Sequence, residues 1–367
     1  MKNLKLKLTI IGITLLSINA FSQDYVYQGV KNVDATIGMN NSESDSNQET
    51  VSEDCYDPEN IGKTIQAQGC AGLLIVDNEI LRDLVLGNNY TTIEGKIISN
   101  YSDTNIFTGQ VTDMSYLFCN YDNQNYPKCT LKEPLYSISN WNTENVTNMY
   151  MMFHKSQNFN KTLNNWNVSN VTNMSYMFHN SSFNQPLNDW DVSNVTDMSS
   201  MFYGSNYNHS LNNWDVSNVT YMNYMFGSSL YNQPLNKWDV SNVTDMSYMF
   251  YGSNYNQPLN NWDVSNVTNM SYMFHGSNYN QPLNNWNVSN VNTMWSMFEN
   301  SSYNHPLDNW DVSNVNNMKE MFNGAGSFIQ NISNWCVTNI ESKPNYFDTN
   351  SGFKNQTSLQ PQWGTCP

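Results

Sequence analysis

Apolar residues recur along this chain at fixed intervals, with polar residues nearly everywhere between them. One full set is Leu211, Trp214, Val216, Val219, Met222, Met225 and Phe226, and the clearest spelling of the phrase, WDVSNVTDMSYMF, occupies residues 238–250. The valine that opens VTxMxxMF stands at 111, 146, 171, 195, 219, 243, 267, 291 and 315, so the steps are 35, then 25, then 24 six times. A degenerate tenth copy follows, with WCVTNI at 335–340 and Phe347 seven residues after Ile340. Trp and Val two apart predict one face of a strand. Val219, Met222, Met225 and Phe226, at i, i+3, i+6 and i+7, predict one face of a short helix. Asn218 or Thr220 would cap that helix, and Gly204, Gly252 and Gly276 would lie near its end. The segment SNYNQPL at 253–259 would make the return turn, its proline fixing the backbone.

A strand, a short helix and a turn in 24 residues cannot bury their apolar face alone, whereas stacked copies can. The pattern therefore predicts an α/β solenoid, a leucine-rich-repeat-like stack of about ten coils with a cap at each end. A parallel β-helix is the alternative fold; the helical spacing of Met, Met and Phe and the lack of a glycine-rich β-roll signature rank it lower.

Around the repeats the chain divides by composition. Residues 1–22 read as a secretory signal peptide, with Lys2, Lys5 and Lys7, an apolar run at 8–18, and the small-residue ending Ala20, Phe21, Ser22. Residues 23–54 form an acidic lead-in, expected to be disordered because SESDSNQETVSED has little to bury. Residues 55–105 read as an N-terminal cap, in which LLIV (73–76) predicts a strand. Asp77 would cap a helix whose inner face is Ile80, Leu81, Leu84 and Val85, and Gly87 would end it. The repeats fill 106–335, with a loop inserted at 119–129, and 336–367 holds the degenerate last copy and a C-terminal cap.

Removing the leader takes the formal charge from −16 to −19 and leaves Arg82 as the one arginine. Nucleic acid is excluded as a partner because phosphate binding needs a basic face. No stretch approaches the ~20 consecutive apolar residues of a membrane helix. Six cysteines in an exported chain suggest disulfides; 15 connectivities are open, and neighbourhood favours Cys55 with Cys70, Cys119 with Cys129, and Cys336 with Cys366.

The copies of WDVSNVTxMxxMF with FNQPL or YNQPL, the degenerate WCVTNI and the ending WGTCP resemble the BspA-like bacterial surface-repeat family, a divergent branch of leucine-rich-repeat proteins. The resemblance covers roughly residues 70–367. It implies a secreted or cell-surface location, a leucine-rich-repeat-like solenoid, roles in adhesion to host and matrix proteins, and no catalytic residues. The chain departs from the leucine-rich pattern in using Trp and Met where Leu is usual and in placing Asn one residue early.

Candidate chemistry lies in columns. The Trp column (Trp141, Trp166, Trp190, Trp214, Trp238, Trp262, Trp286, Trp310, Trp335) reads as a core ladder in preference to a carbohydrate platform, because Trp shares its face with Val. Trp295 and Trp363 lie off it, the first as an exposed aromatic and the second as a cap contact. The residue after Trp should point outward, placing Asp191, Asp215, Asp239 and Asp263 in one exposed column. This column is a solvated polar face or a ligand-contact column, with Ca²⁺ as the cation that carboxylates would favour. An Asn column, from Asn145 to Asn314 with Asn339 in the tenth copy, predicts a buried amide ladder that satisfies turn backbone. The five histidines vary freely with Asn, Tyr or Lys at the same positions, which predicts surface or turn roles. No HExxH, GxSxG, phosphate loop or Cys/His dyad is present, so the chain reads as a non-enzyme. The expected function is an extracellular scaffold binding a protein or glycan through its polar face and turns. A self-associating coat component and a secreted hydrolase are the alternatives.

Overall fold

Alternate backbone amides in the Met-rich part of each copy bond to the next copy instead of to their own, and this ladder organises the chain. The computed structural model describes residues 51–119 and 136–367. The leader, all but the last four residues of the lead-in, and the inserted loop beyond Cys119 lie outside the described residues, as does Cys129.

With the Trp of each copy counted as position 1, Met222, Met225 and Phe226 stand at positions 9, 12 and 13. The amides of Met222, Tyr224 and Phe226 donate to the carbonyls of Asp245, Ser247 and Met249 in the next copy, at 3.2, 2.9 and 3.0 Å. Between them, Met225 N donates to Met222 O (3.2 Å), Gly227 N to Tyr224 O (3.1 Å) and Ser229 N to Phe226 O (3.4 Å), closing successive four-residue turns. Parallel one-residue bridges run in register from Asp113 through Asn148, Asn173, Asp197, Tyr221, Asp245, Asn269 and Thr293 to Asn317.

The short helix expected in each copy is therefore absent. Tandem turns bring Met, Met and Phe to one face as a helix would, but they leave alternate N–H groups free to pair with a neighbour. These turns need a left-handed residue at positions 11 and 15, and both have it in copy after copy: Tyr176, Tyr224, Tyr248 and Tyr272 at the first, Gly204, Gly252, Gly276 and Gly324 at the second. A Cβ on Gly252 would meet nothing closer than Ser228 Oγ at 3.4 Å, so its φ of 59° accounts for the glycine better than crowding does. The Trp-Asp-Val segment has no regular structure, with Trp and Val buried and Asp exposed, and it forms no strand. The ladder lies where the helix was expected.

Inside the ladder Trp, Val, Val, Met, Met, Phe, Tyr or Phe, and Leu of the copies from Trp166 to Leu307 are buried and form one continuous core. Identical rings in neighbouring copies lie nearly parallel, so their centroid separation measures the local step between copies. That step is 4.1 and 4.5 Å along Tyr224, Tyr248 and Tyr272. It is 5.7 and 6.0 Å for Phe226, Phe250 and Phe274, and 6.4 Å between Trp238 and Trp262. The copies are fanned, closest along the tyrosine side and widest along the tryptophan side.

At the N-terminal end β1 (Leu74–Ile75) pairs in parallel with β4 (Ile106–Phe107), and β2 (Tyr90–Thr91) pairs antiparallel with β3 (Ile97–Ile98). Helix α1 (Asn78–Val85) starts at Asp77, whose Oδ1 accepts from Glu79 N and Ile80 N at 3.1 and 2.9 Å, and buries Leu81, Leu84 and Val85. Disulfides Cys55–Cys70 and Cys336–Cys366 pin the two ends. Near the C-terminus Phe347 N bonds Pro344 O and Phe347 O accepts from Phe322 N, which gives Phe347 the role of the second Met, not of the Phe that its spacing from Ile340 implied. The Phe position falls to Asp348, buried and bonded to Lys343 Nζ and Gln360 Nε2, each at 2.7 Å.

Candidate interaction face

The turns that hold the core inward bring positions 8, 10, 11 and 14 to the closely spaced side, where the large rings are partly exposed and the small serines between them are buried. A continuous ridge of rings results. Tyr116 meets Tyr150 edge to face at 5.0 Å and Tyr150 meets Tyr176 at 5.8 Å. His179 bridges Tyr176 to Tyr203 (5.2 and 4.8 Å), and Tyr203 reaches Tyr224 at 5.9 Å. Tyr224, Tyr248 and Tyr272 stack face to face, and Tyr272 meets Trp295 at 5.0 Å. Trp295 donates its indole N–H to Glu320 Oε2 (3.1 Å), and Lys319 Nζ lies 5.4 Å from its ring centroid. Half-burial raises the phenol pKa of Tyr150 and Tyr224, with hydrogen bonds to Tyr116 and Tyr248 adding to the effect, so both phenols stay neutral at ordinary pH.

Carboxylates flank the ridge. Asp113, Asp197 and Asp245 occupy position 8, and Asp197 and Asp245 each accept from the amide of the serine two residues on, at 2.8 Å. Asn173 makes the same bond to Ser175 N at 2.9 Å. Glu299 Oε2 lies 3.3 Å from His275 Nδ1. His154 and His179 stack at 4.7 Å, and burial depresses their pKa values to about 3 and about 4. The surface or turn role expected of the histidines fails for His154, which is buried among the ring columns, while His179 is half-buried within the ridge. His209 and His305 do take turn roles, each ring nitrogen 3.0 Å from an Asn carbonyl of the preceding copy.

The acidic column predicted from sequence lies elsewhere, on the segment after each Trp. Asp191, Asp215, Asp239 and Asp263 are all exposed, and each Oδ1 accepts from the serine amide two residues on, at 3.0–3.1 Å. Hydrogen bonds from the Ser241 side chain and amide hold Asp239 below the usual carboxylate range. One oxygen of each aspartate is thus committed to its own turn. Among the described residues no cluster of three or more His, Cys, Asp or Glu side chains is arranged to hold a metal ion. The Trp column is buried, and every indole N–H from Trp141 to Trp335 donates to a backbone carbonyl; Trp238 Nε1 and Leu211 O, 2.9 Å apart, are typical. Trp363 packs edge to face on Phe347 at 4.9 Å in the cap.

The Asn column is a ladder, but an exposed one, which corrects the burial expected. Asn242 Nδ2 donates to Ser217 O at 2.7 Å, and the same bond joins each copy to the one before it. A second amide ladder was missed: Oδ1 of Asn208, Asn232 and Asn256 in NQPL or its variant accepts from the equivalent Asn amide one copy on, at 2.9–3.0 Å. Its signal was in plain view as the unvarying Asn before Gln-Pro-Leu. The ring ridge was missed as well, because its letters lie in the gaps between the methionines.

Among the described residues no helix is long and apolar enough to cross a membrane. Searches of curated proteins and of solved structures give no significant match. The model of one protein family, described as "Mycoplasma protein of unknown function, DUF285", matches four overlapping segments, residues 89–206, 122–230, 180–277 and 253–363. The overlaps follow from the repeats, since each segment holds several copies of the same phrase. Together they cover most of the chain, which belongs to this DUF285 family of repeat proteins.

Proposed function

We propose that the chain is an exported or cell-surface interaction scaffold. In this reading it is a leucine-rich-repeat-like solenoid of the kind the BspA-like repeats suggest, binding an extracellular protein or glycan through the ring ridge. The register of parallel bridges supports the solenoid, and the leader and the two disulfides support export.

One observation carries the functional part. Tyrosine recurs at position 11 in the left-handed conformation, at φ of 56–60° in Met151, Tyr176, Tyr224 and Tyr248 alike, although a side chain there costs about 1–2 kcal/mol relative to glycine. Glycine fills position 15, under the same demand, four times and position 11 never. A side chain retained against its backbone preference has a role beyond the turn. Tyr, Ser, Asn, Trp and His dominate the ridge, the mixture of rigid amphipathic rings and adaptable polar groups that recognition surfaces use.

The test is an array of matrix proteins and glycans probed with the full chain, with a ridge variant (Tyr224→Ser, Tyr248→Ser, Tyr272→Ser) and with a column variant (Asp191→Asn, Asp215→Asn, Asp239→Asn, Asp263→Asn). Serine already occupies position 11 at Ser200 and Ser296, so the ridge variant should fold. Loss of a ligand in the ridge variant alone is the expected result. Loss in the column variant alone moves the site to the opposite segment. Binding by neither protein, with concentration-dependent self-association on sizing, favours the coat reading.

A further inference from the structure

The ridge already holds a cation on one of its own rings. Lys319 Nζ sits 5.4 Å from the centroid of Trp295 and 3.5 Å from Glu320 Oε1, while Glu320 Oε2 takes the Trp295 indole N–H. Ring, carboxylate and ammonium thus form a complete subsite filled from within the chain. We propose that the remaining ridge repeats this arrangement without the lysine, and that it takes an extended basic polypeptide segment whose lysine and arginine side chains occupy the open subsites. The inference rests on the ridge being the binding face.

Three features select this partner class. The first is charge. The chain carries −16 overall, and the ridge is flanked by Asp197, Asp245 and Glu299. The field of Asp197 reaches the Tyr150 phenol, and those of Glu299 and Glu320 reach the Tyr272 phenol. A basic segment meets complementary potential along its length, and an acidic one meets repulsion. The second is ring geometry. Tyr224, Tyr248 and Tyr272 lie face to face at 4.1 and 4.5 Å, so their faces are covered by one another and cannot stack on a sugar. Their hydroxyl rims remain to accept from guanidinium groups. The third is length. Seven copy-to-copy steps separate Tyr116 from Trp295; at the 4.1 and 4.5 Å observed for two of them they match about nine residues of extended chain at ~3.3 Å each.

Fluorescence anisotropy of the full chain with two labelled 12-residue peptides tests this, one alternating Lys or Arg with Ser and one alternating Glu with Ser, alongside neutral chitohexaose as competitor. The basic peptide should bind, and the acidic one should not. Asp197→Asn, Asp245→Asn and Glu299→Gln together should weaken binding at least ten-fold. Asp191→Asn, Asp215→Asn and Asp239→Asn, which remove the same charge from the other segment, should change it less than two-fold. Lys319→Met should tighten binding at least two-fold by opening the Trp295 subsite. Equal weakening by the two charge sets would reduce the binding to general attraction and overturn the proposal. Ridge-dependent binding of chitohexaose without the basic peptide would overturn it too, while leaving the interaction scaffold intact. If no array ligand depends on the ridge either, both readings fall.

Discussion

Five tyrosines, Tyr207, Tyr231, Tyr255, Tyr279 and Tyr303, stack through the core at 6.3–6.4 Å with no exposure, and none of their hydroxyls has a hydrogen-bond partner within the protein. Four of these hydroxyls lie toward the backbone N–H of a leucine in the preceding copy, an approach that favours the phenolate, but without hydrogen-bond geometry. Tyr255 lacks even this approach, so Tyr255→Phe is the clearest perturbation. A buried hydroxyl without a partner costs about 1–3 kcal/mol of lost hydration. Its removal leaves a gap smaller than a methyl group, forfeiting a few tenths of a kcal/mol in dispersion, on the order of two or three atom contacts. Phenylalanine already fills this column at Phe183 and Phe328, at similar stacking distances of 6.3 and 6.4 Å to Tyr207 and Tyr303.

Tyr255→Phe should therefore stabilise the protein by about 1 kcal/mol, raising the melting temperature by roughly 2 °C. Guanidinium unfolding followed by circular dichroism at neutral pH measures it. Destabilisation by 1 kcal/mol or more would mean that the hydroxyl has a partner after all, and the reasoning would fail. A second arm uses pH. Burial raises the Tyr255 pKa above its unfolded value near 10, so the unfolded chain loses its phenolic proton first. Stability is fully present below pH 10 and falls above it, by up to about 1.4 kcal/mol per pH unit for each such tyrosine. Replacing all five by Phe should flatten this alkaline limb.

The other predictions concern charge and amides. His154 and His179 have folded pKa values depressed to about 3 and about 4, so the unfolded chain binds their protons first. Stability should decline as pH falls from about 6.5 toward 3, and His154→Phe should reduce that slope in a series of melts. Asn242→Ala removes the 2.7 Å bond to Ser217 O and should cost about 0.5–1.5 kcal/mol in urea unfolding. Asn242→Asp should cost more, because a carboxylate would then face a carbonyl oxygen. Arg82→Met should cost about 1–2 kcal/mol, with loss of amide protection in hydrogen exchange concentrated near residues 111–119.

The repeat and its core were legible because burial acts on letters that recur: Trp238, Val240, Val243, Met246, Met249 and Phe250 are all buried. The element type was not legible. Spacings of i, i+3 and i+7 state only which residues share a face, and tandem turns satisfy them as well as a helix does. The sign was the Gly or Asn two places after the Met-Phe pair, which demands a left-handed backbone once per copy; it was read as a helix end. The candidate face was hidden for a related reason. Attention to unvarying columns picks out Asn218 and Trp214, which hold copies together, and passes over Tyr224 and Tyr248, whose position also admits Ser200, Met151 and Glu320.

The ladder's direction explains how the ends are built. From position 9 to position 15 each copy sends alternate N–H groups toward the next copy, which accepts them on the carbonyls of positions 8 to 14, whereas position 7 runs the other way, Thr220 N donating to Thr196 O at 2.9 Å. Over that stretch one end of the ladder offers carbonyl acceptors and the other offers N–H donors, while at the first copy Thr112 N and Asp113 N also donate, to Asn78 Oδ1 at 2.9 and 3.2 Å. The sequence answers each end with the matching charge. Arg82, the chain's one arginine, reaches from α1 to donate to Ser115 O at 2.6 Å and Asp113 O at 3.3 Å, the carbonyls of the first ladder copy. At the other end Asp348 places a carboxylate where every earlier copy has Phe, and Pro344 supplies a residue with no N–H at the place of the first Met. The ladder groups bonded to Arg82 are no longer free to pair with another copy. A stack of nearly identical copies would otherwise extend end to end with other molecules, and these few residues set its length.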